Sequence, residues 1–210
     1  MSVDISIISR LTPAACTPTL SNGGTIDYGM IKPSQLSADS YRVLPEKQLD
    51  FTIICDAPAK VAVRTINGRP NTMAGVTENS LGTALIPAPV FGAANQTYVG
   101  VGLGLDGDAK IGGYGIRIVP NSTYADSTAV DSVQSNDNGT NWQPSSGNMM
   151  GNGEAPLQMT WAQIGSTVPT AFITFNAKLA VQAYLNKISN LNLTHPIVLD
   201  GVATIELIYL

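Results

Sequence analysis

Two cysteines, Cys16 and Cys55, carry the most reactive side chains in this sequence, and they lie 39 positions apart. Cysteines can ligate metals, act as nucleophiles or form disulfides, and their spacing helps to separate these uses. Neither belongs to a Cys-x-x-Cys pair or to a His/Cys cluster, so metal-binding and thioredoxin-like sites are poorly supported. A disulfide and a pair of buried thiols both remain open. The low charge of the chain favours the disulfide, because it indicates a location outside the reducing cytosol.

Other groups that could do chemistry are few. The only histidine, His195, stands before Pro196 with no cysteine or serine nucleophile pattern nearby. The chain carries no GxSxG, HExxH or DxDxDG motif. Glycines alternate at 100, 102 and 104, but no helix pattern follows them to offer its N-terminus to a phosphate. We therefore expect no enzymatic activity, no metal and no cofactor.

One aromatic residue stands in the longest polar stretch of the chain. Trp142 lies within residues 120–153, which are rich in Ser, Asn and Gly and are too long for a simple connection. We interpret this stretch as a long polar loop inserted into the fold. Trp142 could stack on a sugar ring of a host or surface glycan, or it could pin the loop to the body of the protein. Both interpretations are open at this stage.

The composition excludes several classes of protein. The chain has 210 residues, of which 44% are apolar and only 12% charged, against roughly 25% charged in a typical soluble domain. Its net charge of −4 and the lack of a basic patch argue against nucleic-acid binding. No apolar run approaches the length of about 18 residues that a membrane span requires. No signal peptide is present, so we expect a mature secreted form with an added Met.

The elements that would hold these residues are strands. The clearest alternation covers residues 47–56, in which Leu49, Phe51, Ile53 and Cys55 share one face. Further strand patterns cover residues 2–8, 25–31, 60–66, 96–105, 110–119, 157–162, 171–175, 177–188 and 202–210. Short strands separated by turn signals indicate a single all-β sandwich domain over residues 1–210.

The chain ends on one of these strands. Within residues 201–210, Ala203, Ile205, Leu207 and Tyr209 fall on one face. Terminal residues usually fray unless a sheet holds them. An apolar strand at the very end therefore needs a cover, either from its own chain or from another molecule.

Six segments carry information that the composition alone does not give. They are Pro13-Ala-Ala-Cys16-Thr-Pro-Thr-Leu, Gly23-Gly24 followed by Asp27-Tyr28-Gly29, Ile54-Cys55-Asp56-Ala-Pro58, Gly102-Leu-Gly-Leu105, Ile111-Gly-Gly-Tyr114 and the end from Leu199 to Leu210. Together they resemble the DUF1120 family, fimbrial-like proteins of proteobacterial chaperone–usher loci. The resemblance spans essentially the whole chain. A cysteine in the first strand, a partner ending the second and a penultimate aromatic are also similar to chaperone–usher pilins.

The resemblance implies an immunoglobulin-like, pilin-like sandwich that lacks its last strand and leaves an apolar groove beside the C-terminal strand. It also implies a Cys16–Cys55 disulfide. The matching groove-edge residues are Ala203, Ile205, Leu207 and Tyr209. A periplasmic chaperone would fill the groove, and the N-terminal extension of a neighbouring subunit would replace it at the usher, each by strand addition. The expected protein is a structural or adhesin-like subunit, periplasmic in transit and then part of a surface fimbria.

Residues 2–8 carry alternative expectations. Val3, Ile5 and Ile7 alternate with polar residues, which suits either a donor strand for a neighbour or the domain's own first strand. Only 15 residues precede Cys16, so the same segment can hardly serve as both. If it belongs to the domain, the subunit accepts a strand without donating one, as a tip subunit would. A fold that completes itself, acting as a secreted binding module, is the remaining alternative.

Overall fold

The computed structural model describes residues 14–210. Its strands are β1 (Cys16–Leu20), β2 (Arg42–Val43), β3 (Lys47–Ala59), β4 (Val61–Asn67), β5 (Ala84–Leu85), β6 (Val99–Gly102), β7 (Leu105–Asp106), β8 (Ala109–Lys110), β9 (Gly112–Ile118), β10 (Tyr124–Ala125), β11 (Thr128–Ser135), β12 (Gln143–Pro144), β13 (Gln158–Gln163), β14 (Phe172–Leu185) and β15 (Ala203–Tyr209). Four short 3-10 helices cover Ser21–Gly24, Pro33–Gln35, Val90–Gly92 and Ile188–Asn190. No helix in this range could span a membrane. The predicted strand with Val3, Ile5 and Ile7 lies outside the described residues.

The strands form two antiparallel layers. One layer has the order β1-β3-β14-β9-β6-β5, and the other has the order β15-β4-β13-β11, with β12 beside β11. The short strand β10 bonds to both β14 and β11 and so connects the layers. The predicted all-β sandwich is therefore confirmed, while its immunoglobulin-like topology stays a prediction.

Aromatic side chains from both layers meet in the core. The Trp161 ring from β13 stacks on the Phe175 ring from β14 with 3.6 Å between centroids. Phe51 and Phe172 pack edge-on or tilted around this pair, and all four side chains are almost fully buried. Burying each such side chain contributes roughly 1.5–3 kcal/mol, so this cluster fixes how the layers sit on each other.

The period-two patterns identify the core face of two long strands. In β3, the predicted face of Leu49, Phe51, Ile53 and Cys55 is buried. In β14, the predicted inner residues from Leu179 to Leu185 are buried as well. The prediction of two strands, at 171–175 and 177–188, is wrong in one respect, because a single strand covers both. Asn176 points outward opposite Thr52 and is paired in the ladder, so it does not end the strand.

The strand predicted at residues 25–31 is not formed. The Asp27 carboxylate accepts a hydrogen bond of 2.7 Å from the Gly29 N–H, and Gly29 adopts φ +63°. This side-chain turn bends the backbone locally and competes with strand pairing. The segment instead crosses the sandwich without joining a ladder among the described residues.

The long polar loop predicted at residues 120–153 is also corrected, because it contains β10, β11 and β12. The eight residues of β11 pair with β13 along most of their length. Val130 and Val133 are buried but three positions apart, so the strand lacks a period-two signal. Ser135 is buried as well, on the same face as Val133, and its hydroxyl donates to Asp137. A strand with so few apolar residues reads as a loop in sequence.

Candidate functional site

The last strand lies at an edge of its layer. β15 pairs antiparallel with β4 from Ala203 opposite Asn67 to Tyr209 opposite Val61. Among residues 14–210, β4 is its only strand partner. An edge of this kind presents a row of main-chain donors and acceptors that another strand can use.

Two hydrogen bonds fix which residues of β15 face that open edge. The Gly68 N–H donates to the Val202 carbonyl at 2.8 Å, and the Leu210 N–H donates to the Lys60 carbonyl at 3.0 Å. Even-numbered residues of the strand therefore bond to β4, and odd-numbered residues turn their N–H and C=O groups away from it. The outward-facing main-chain groups belong to Ala203, Ile205, Leu207 and Tyr209.

The side chains of these same residues face the interior. Ala203, Ile205 and Leu207 pack against the core but stay only partly buried. Tyr209 is 52% exposed, so its ring lies outside the core. The predicted face of the terminal strand is therefore a partly covered core surface next to a main-chain edge that no strand of residues 14–210 pairs with.

A groove of about 840 Å³ runs along this surface. Its floor consists of buried side chains from β9 and β14, such as Ile116 and Leu179. Partly buried apolar residues that also pack against the main core form its flanks. They are Leu20, Ile26, Tyr28, Ile31 and Leu36 on one side and Ile197, Leu199, Ala203 and Ile205 on the other. The groove is thus the place where the sandwich is least complete.

One end of the groove is closed beside the disulfide. Cys16 and Cys55 are joined, with 4.0 Å between their Cα atoms, which confirms the predicted bridge. The Cys16 N–H donates to the Tyr209 hydroxyl at 2.8 Å, and this bond links β1 to β15 beyond Ile205, the last residue of β15 that lines the groove. We call this region the disulfide end.

The edge of β1 that faces the groove offers few donors. The Asp56 N–H donates to the Ala15 carbonyl at 3.0 Å, which sets odd-numbered residues of β1 toward β3. Residues 16, 18 and 20 therefore face the groove. Tyr209 already bonds the N–H of Cys16, and Pro18 has no N–H. An added strand would find its hydrogen-bonding edge on β15.

The other end of the groove is open and polar at its rim. We call this region the open end. The only histidine, His195, lines the groove and contacts the Asp106 carboxylate at 2.9 Å. The Arg69 guanidinium binds both Asp200 oxygens at 2.8 Å. This hydrogen-bonded guanidinium lowers the pKa of the Asp200 carboxyl.

Two tyrosines line the groove. Burial raises the pKa of Tyr114, which lies in the floor. The Tyr28 hydroxyl donates to the Val181 carbonyl at 3.4 Å and accepts from the Ala183 N–H at 3.2 Å, and burial raises its pKa as well. Both groups stay neutral at physiological pH, and no cluster of metal-ligating side chains occurs in the described part of the chain. The groove is thus suited to binding an apolar segment.

Trp142 lies apart from the groove. It is half-buried over Gly139, where an added Cβ would be 3.5 Å from the indole Cζ2 and 3.9 Å from Leu210. The turn before it is fixed by Asp137, which accepts from Ser135 and Asn141, and these bonds lower the pKa of Asp137 to about 2. Trp142 as a glycan-binding residue stays a prediction.

Sequence reasoning missed most of the groove walls. Leu36, Ile197 and Leu199 lie in stretches broken by Pro, Ser and Asp, where no periodicity marks an inward face. Their composition did carry a signal of burial, because these stretches contain more large apolar residues than is usual for an exposed loop. Val3, Ile5 and Ile7 lie outside the described residues, so their relation to the groove stays a prediction.

Comparison with known proteins places the chain in a family. The model of a family described as "Protein of unknown function (DUF1120)" matches residues 5–115. The Escherichia coli (strain K12) "Uncharacterized protein YhcF" is 28% identical over 222 residues, which cover 100% of this chain and 90% of that protein. "Protein GltF" of the same organism is 27% identical over 224 residues, covering 99% and 88% respectively. No solved structure matches. The chain belongs to the DUF1120 family.

Proposed function

We propose that this chain is a non-enzymatic structural subunit of a bacterial surface fimbria, completed by a β-strand that another polypeptide adds to β15. One coincidence carries the proposal. Ala203 and Ile205 direct their side chains into an apolar groove, and they share with Leu207 a main-chain edge that has no strand partner among residues 14–210. A β-strand satisfies both needs, because it offers main-chain hydrogen bonds together with alternating side chains.

The main-chain groups distinguish a strand from a compact apolar ligand. Such a ligand would cover the groove walls but would also bury the N–H and C=O groups of Ile205 and its odd-numbered neighbours without partners. Each group buried in this way costs about 1–3 kcal/mol. An added strand pairs with these groups while it covers the same walls.

The proposed route runs through the periplasm. The disulfide fits a periplasmic or secreted protein, because the cytosol keeps thiols reduced. A periplasmic chaperone would supply the first strand to β15, and the N-terminal segment of a neighbouring subunit would replace it at the usher. Residues 2–8 carry a suitable pattern for such a segment, with apolar side chains at Val3, Ile5 and Ile7. The finished subunit would reside at the cell surface.

The direct test is binding of a synthetic peptide with the sequence of residues 2–9 to the full chain carrying Ile5→Glu, so that the chain's own segment cannot compete. Amide hydrogen exchange is the readout. Exchange at Ala203, Ile205 and Leu207 should slow by about tenfold or more, which corresponds to about 1.4 kcal/mol of protection. Exchange at Thr204 and Glu206 should change little, because their N–H groups already bond to β4.

Two peptide variants serve as matched controls. Ile5→Glu in the peptide places a charge on the face that enters the groove and should abolish binding. Asp4→Ala changes the opposite face of the same strand and should leave binding intact. Equal protection by both variants, or protection at even-numbered residues alone, would contradict strand addition to β15.

A further inference from the structure

One flank of the groove contains a segment that joins no ladder. Residues 191–199, which we call the strap, run from the last 3-10 helix toward β15, and most of them line the groove. No main-chain hydrogen bond joins residues 192–199 to another segment of the described chain. Ile197 and Leu199 pack against the core but stay only partly buried. Side chains therefore hold the strap in place, and a segment held in this way can open at low cost in free energy.

One side-chain hydrogen bond ties the strap to a neighbouring element. The His195 Nε2 atom lies 2.9 Å from the Asp106 Oδ1 atom. Within residues 14–210 it is the only side-chain hydrogen bond between the strap and another segment, since the remaining ones join Thr194 to Asn192 inside the strap. Asp106 belongs to the β7–β8 hairpin, whose two strands pair only with each other. The contact thus joins two elements that stand outside both layers of the sandwich.

The environment of Asp106 favours a cation beside it. The Asp106 side chain is 17% exposed, and its Oδ2 atom is buried without a hydrogen-bond donor in the described chain. Burying a carboxylate oxygen without a partner is costly, and a charged donor on the same group offsets part of that cost. The His195 side chain is 47% exposed, so protons from solvent reach it. A protonated His195 therefore gains more from this contact than a neutral one.

The other charged groups beside this contact do not replace His195. The hairpin also carries Asp108 and Lys110, and neither forms an ion pair with His195. Directly after the strap, Asp200 is bound by Arg69. Their hydrogen bond lowers the pKa of Asp200 and raises the pKa of Arg69, so this pair keeps its charges between pH 5 and 8. It anchors the end of the strap at every pH in that range.

The groove itself adds no group that titrates near neutral pH. Burial raises the pKa of Tyr28 and of Tyr114, so both stay neutral. Asp27 lines the opposite flank, where its carboxylate accepts the hydrogen bond from the main chain two residues on. The chain has one histidine, and the described part has no free cysteine. Histidine is the side chain that ordinarily changes its charge between pH 5 and 8, so a pH effect on the strap in this range points to His195.

We propose that His195 and Asp106 form a pH-sensitive clasp that fixes the strap and with it one flank of the groove. Below about pH 6 the charged imidazole donates a charge-assisted hydrogen bond to the Asp106 carboxylate and holds the strap against the hairpin. The added stabilisation belongs to the protonated form. It is therefore present in acid and is lost as the pH rises through the titration of the histidine.

The consequence for binding rests on the proposed function. A fixed flank reduces the ordering that an added strand has to impose on the groove, and pre-organisation of this kind raises affinity. Strand addition to β15 should therefore be stronger in acid than at neutral pH. The main-chain edge of β15 does not titrate, so the clasp changes the strength of binding and leaves the pairing unchanged.

The test follows the Asp200 amide in the full chain without any peptide. This N–H donates to the Leu103 carbonyl at 2.9 Å, at the point where the strap ends. Its protection from hydrogen exchange, taken relative to the intrinsic rate at each pH, should fall by about threefold from pH 5.5 to pH 7.5, as expected for a partly exposed ion pair. The Ile118 amide, which bonds to the Gly147 carbonyl outside the groove, should show no such change.

Three variants separate the clasp from other causes of pH dependence. His195→Gln and Asp106→Asn each remove one charge of the clasp with little change in size, and each should make the protection of the Asp200 amide independent of pH. Asp108→Asn removes a carboxylate of the same hairpin and should keep the threefold change. Unchanged protection at Ile118 shows that a variant is folded. A pH dependence that survives in His195→Gln, or one that Asp108→Asn abolishes, overturns the proposal.

Peptide binding keeps this test separate from the proposed function. The residue 2–9 peptide, acetylated so that its amine does not titrate, should bind the Ile5→Glu chain about threefold more tightly at pH 5.5 than at pH 7.5. Adding His195→Gln to that chain should make the two affinities equal. If the peptide binds while protection of Asp200 ignores pH, the clasp is wrong and strand addition stands. If protection of Asp200 changes as expected but the peptide binds at neither pH, strand addition is wrong and the clasp stands.

Discussion

The two strands that flank the groove, β1 and β15, present opposite kinds of edge. On the groove side of β1, the Cys16 N–H is already bonded and Pro18 has no N–H, while the disulfide ties the strand to β3. On the groove side of β15, three consecutive odd-numbered residues offer free main-chain groups within the described chain. Within residues 14–210 both strands are edges, but only β15 is equipped to pair. This difference indicates that one wall is a fixed support and the other recognises the added strand.

Removing the disulfide should have the largest effect, because it releases the fixed wall. The bridge closes a loop with a sequence separation of 39, and its loss should cost about 4 kcal/mol on the chain-entropy model. The measurement is urea unfolding of Cys16→Ala/Cys55→Ala beside the unmodified protein. Reductant should lower the midpoint of the unmodified protein and leave that of the double variant unchanged. Equal midpoints for the two proteins would contradict this role.

Tyr209→Phe should have a smaller effect that is confined to the closed end. The hydroxyl accepts one hydrogen bond, from the Cys16 N–H, and its removal should cost about 1 kcal/mol. The released N–H would give β1 one donor on its groove side, which narrows the difference between the two edges. Thermal unfolding measures the cost, and exchange of the Cys16 amide reports the opening. Unchanged Cys16 exchange would show that the hydroxyl does not hold the two walls together.

Asp200 tests the wall that carries β15, since it anchors residues 197–199 and the start of the strand through Arg69. The hydrogen bond from Arg69 lowers the pKa of Asp200 in the folded state. The pair therefore stabilises the wall above the unfolded-state pKa of about 3.9, and this contribution disappears as the pH falls through the lower folded value. An NMR titration of the Asp200 carboxyl should give a midpoint below the ordinary one, and Arg69→Gln should restore it. The same midpoint in both proteins would refute the anchor.

The sequence predicts strands with a regular alternation better than it predicts the irregular segments that flank them. The alternation in β3 and β15 predicted both strands and their inner faces, because a two-layer sandwich buries every second residue. The lack of a second partner for β15 among the described strands could not be read from β15 alone, since a strand's sequence does not say how many neighbours it has. That property depends on the flanking segments, which carry no period.

The polar strand β11 shows the opposite failure. It is well paired with β13, yet its sequence shows no alternation, because Val130 and Val133 are buried on opposite faces and the buried Ser135 donates its hydroxyl hydrogen to Asp137. Pattern reasoning depends on apolar residues marking a single inner face. Where both faces of a strand are buried and one carries a hydroxyl satisfied within its own turn, the strand can be recognised only from its ladder.

Pro18→Ala is the most specific way to sharpen the comparison, although it should change stability least. The alanine adds an N–H to the groove side of β1 and lies where that edge has no strand partner among the described residues. The unfolding midpoint should therefore shift little, but an added strand could now bond to both walls. The affinity of the residue 2–9 peptide should rise by up to about tenfold, since one more hydrogen bond contributes about 1 kcal/mol. Thr17→Ala, whose main-chain groups face β3, is the matched control and should leave affinity unchanged. A lower affinity for Pro18→Ala would mean that the proline shapes the groove wall instead of merely withholding a donor.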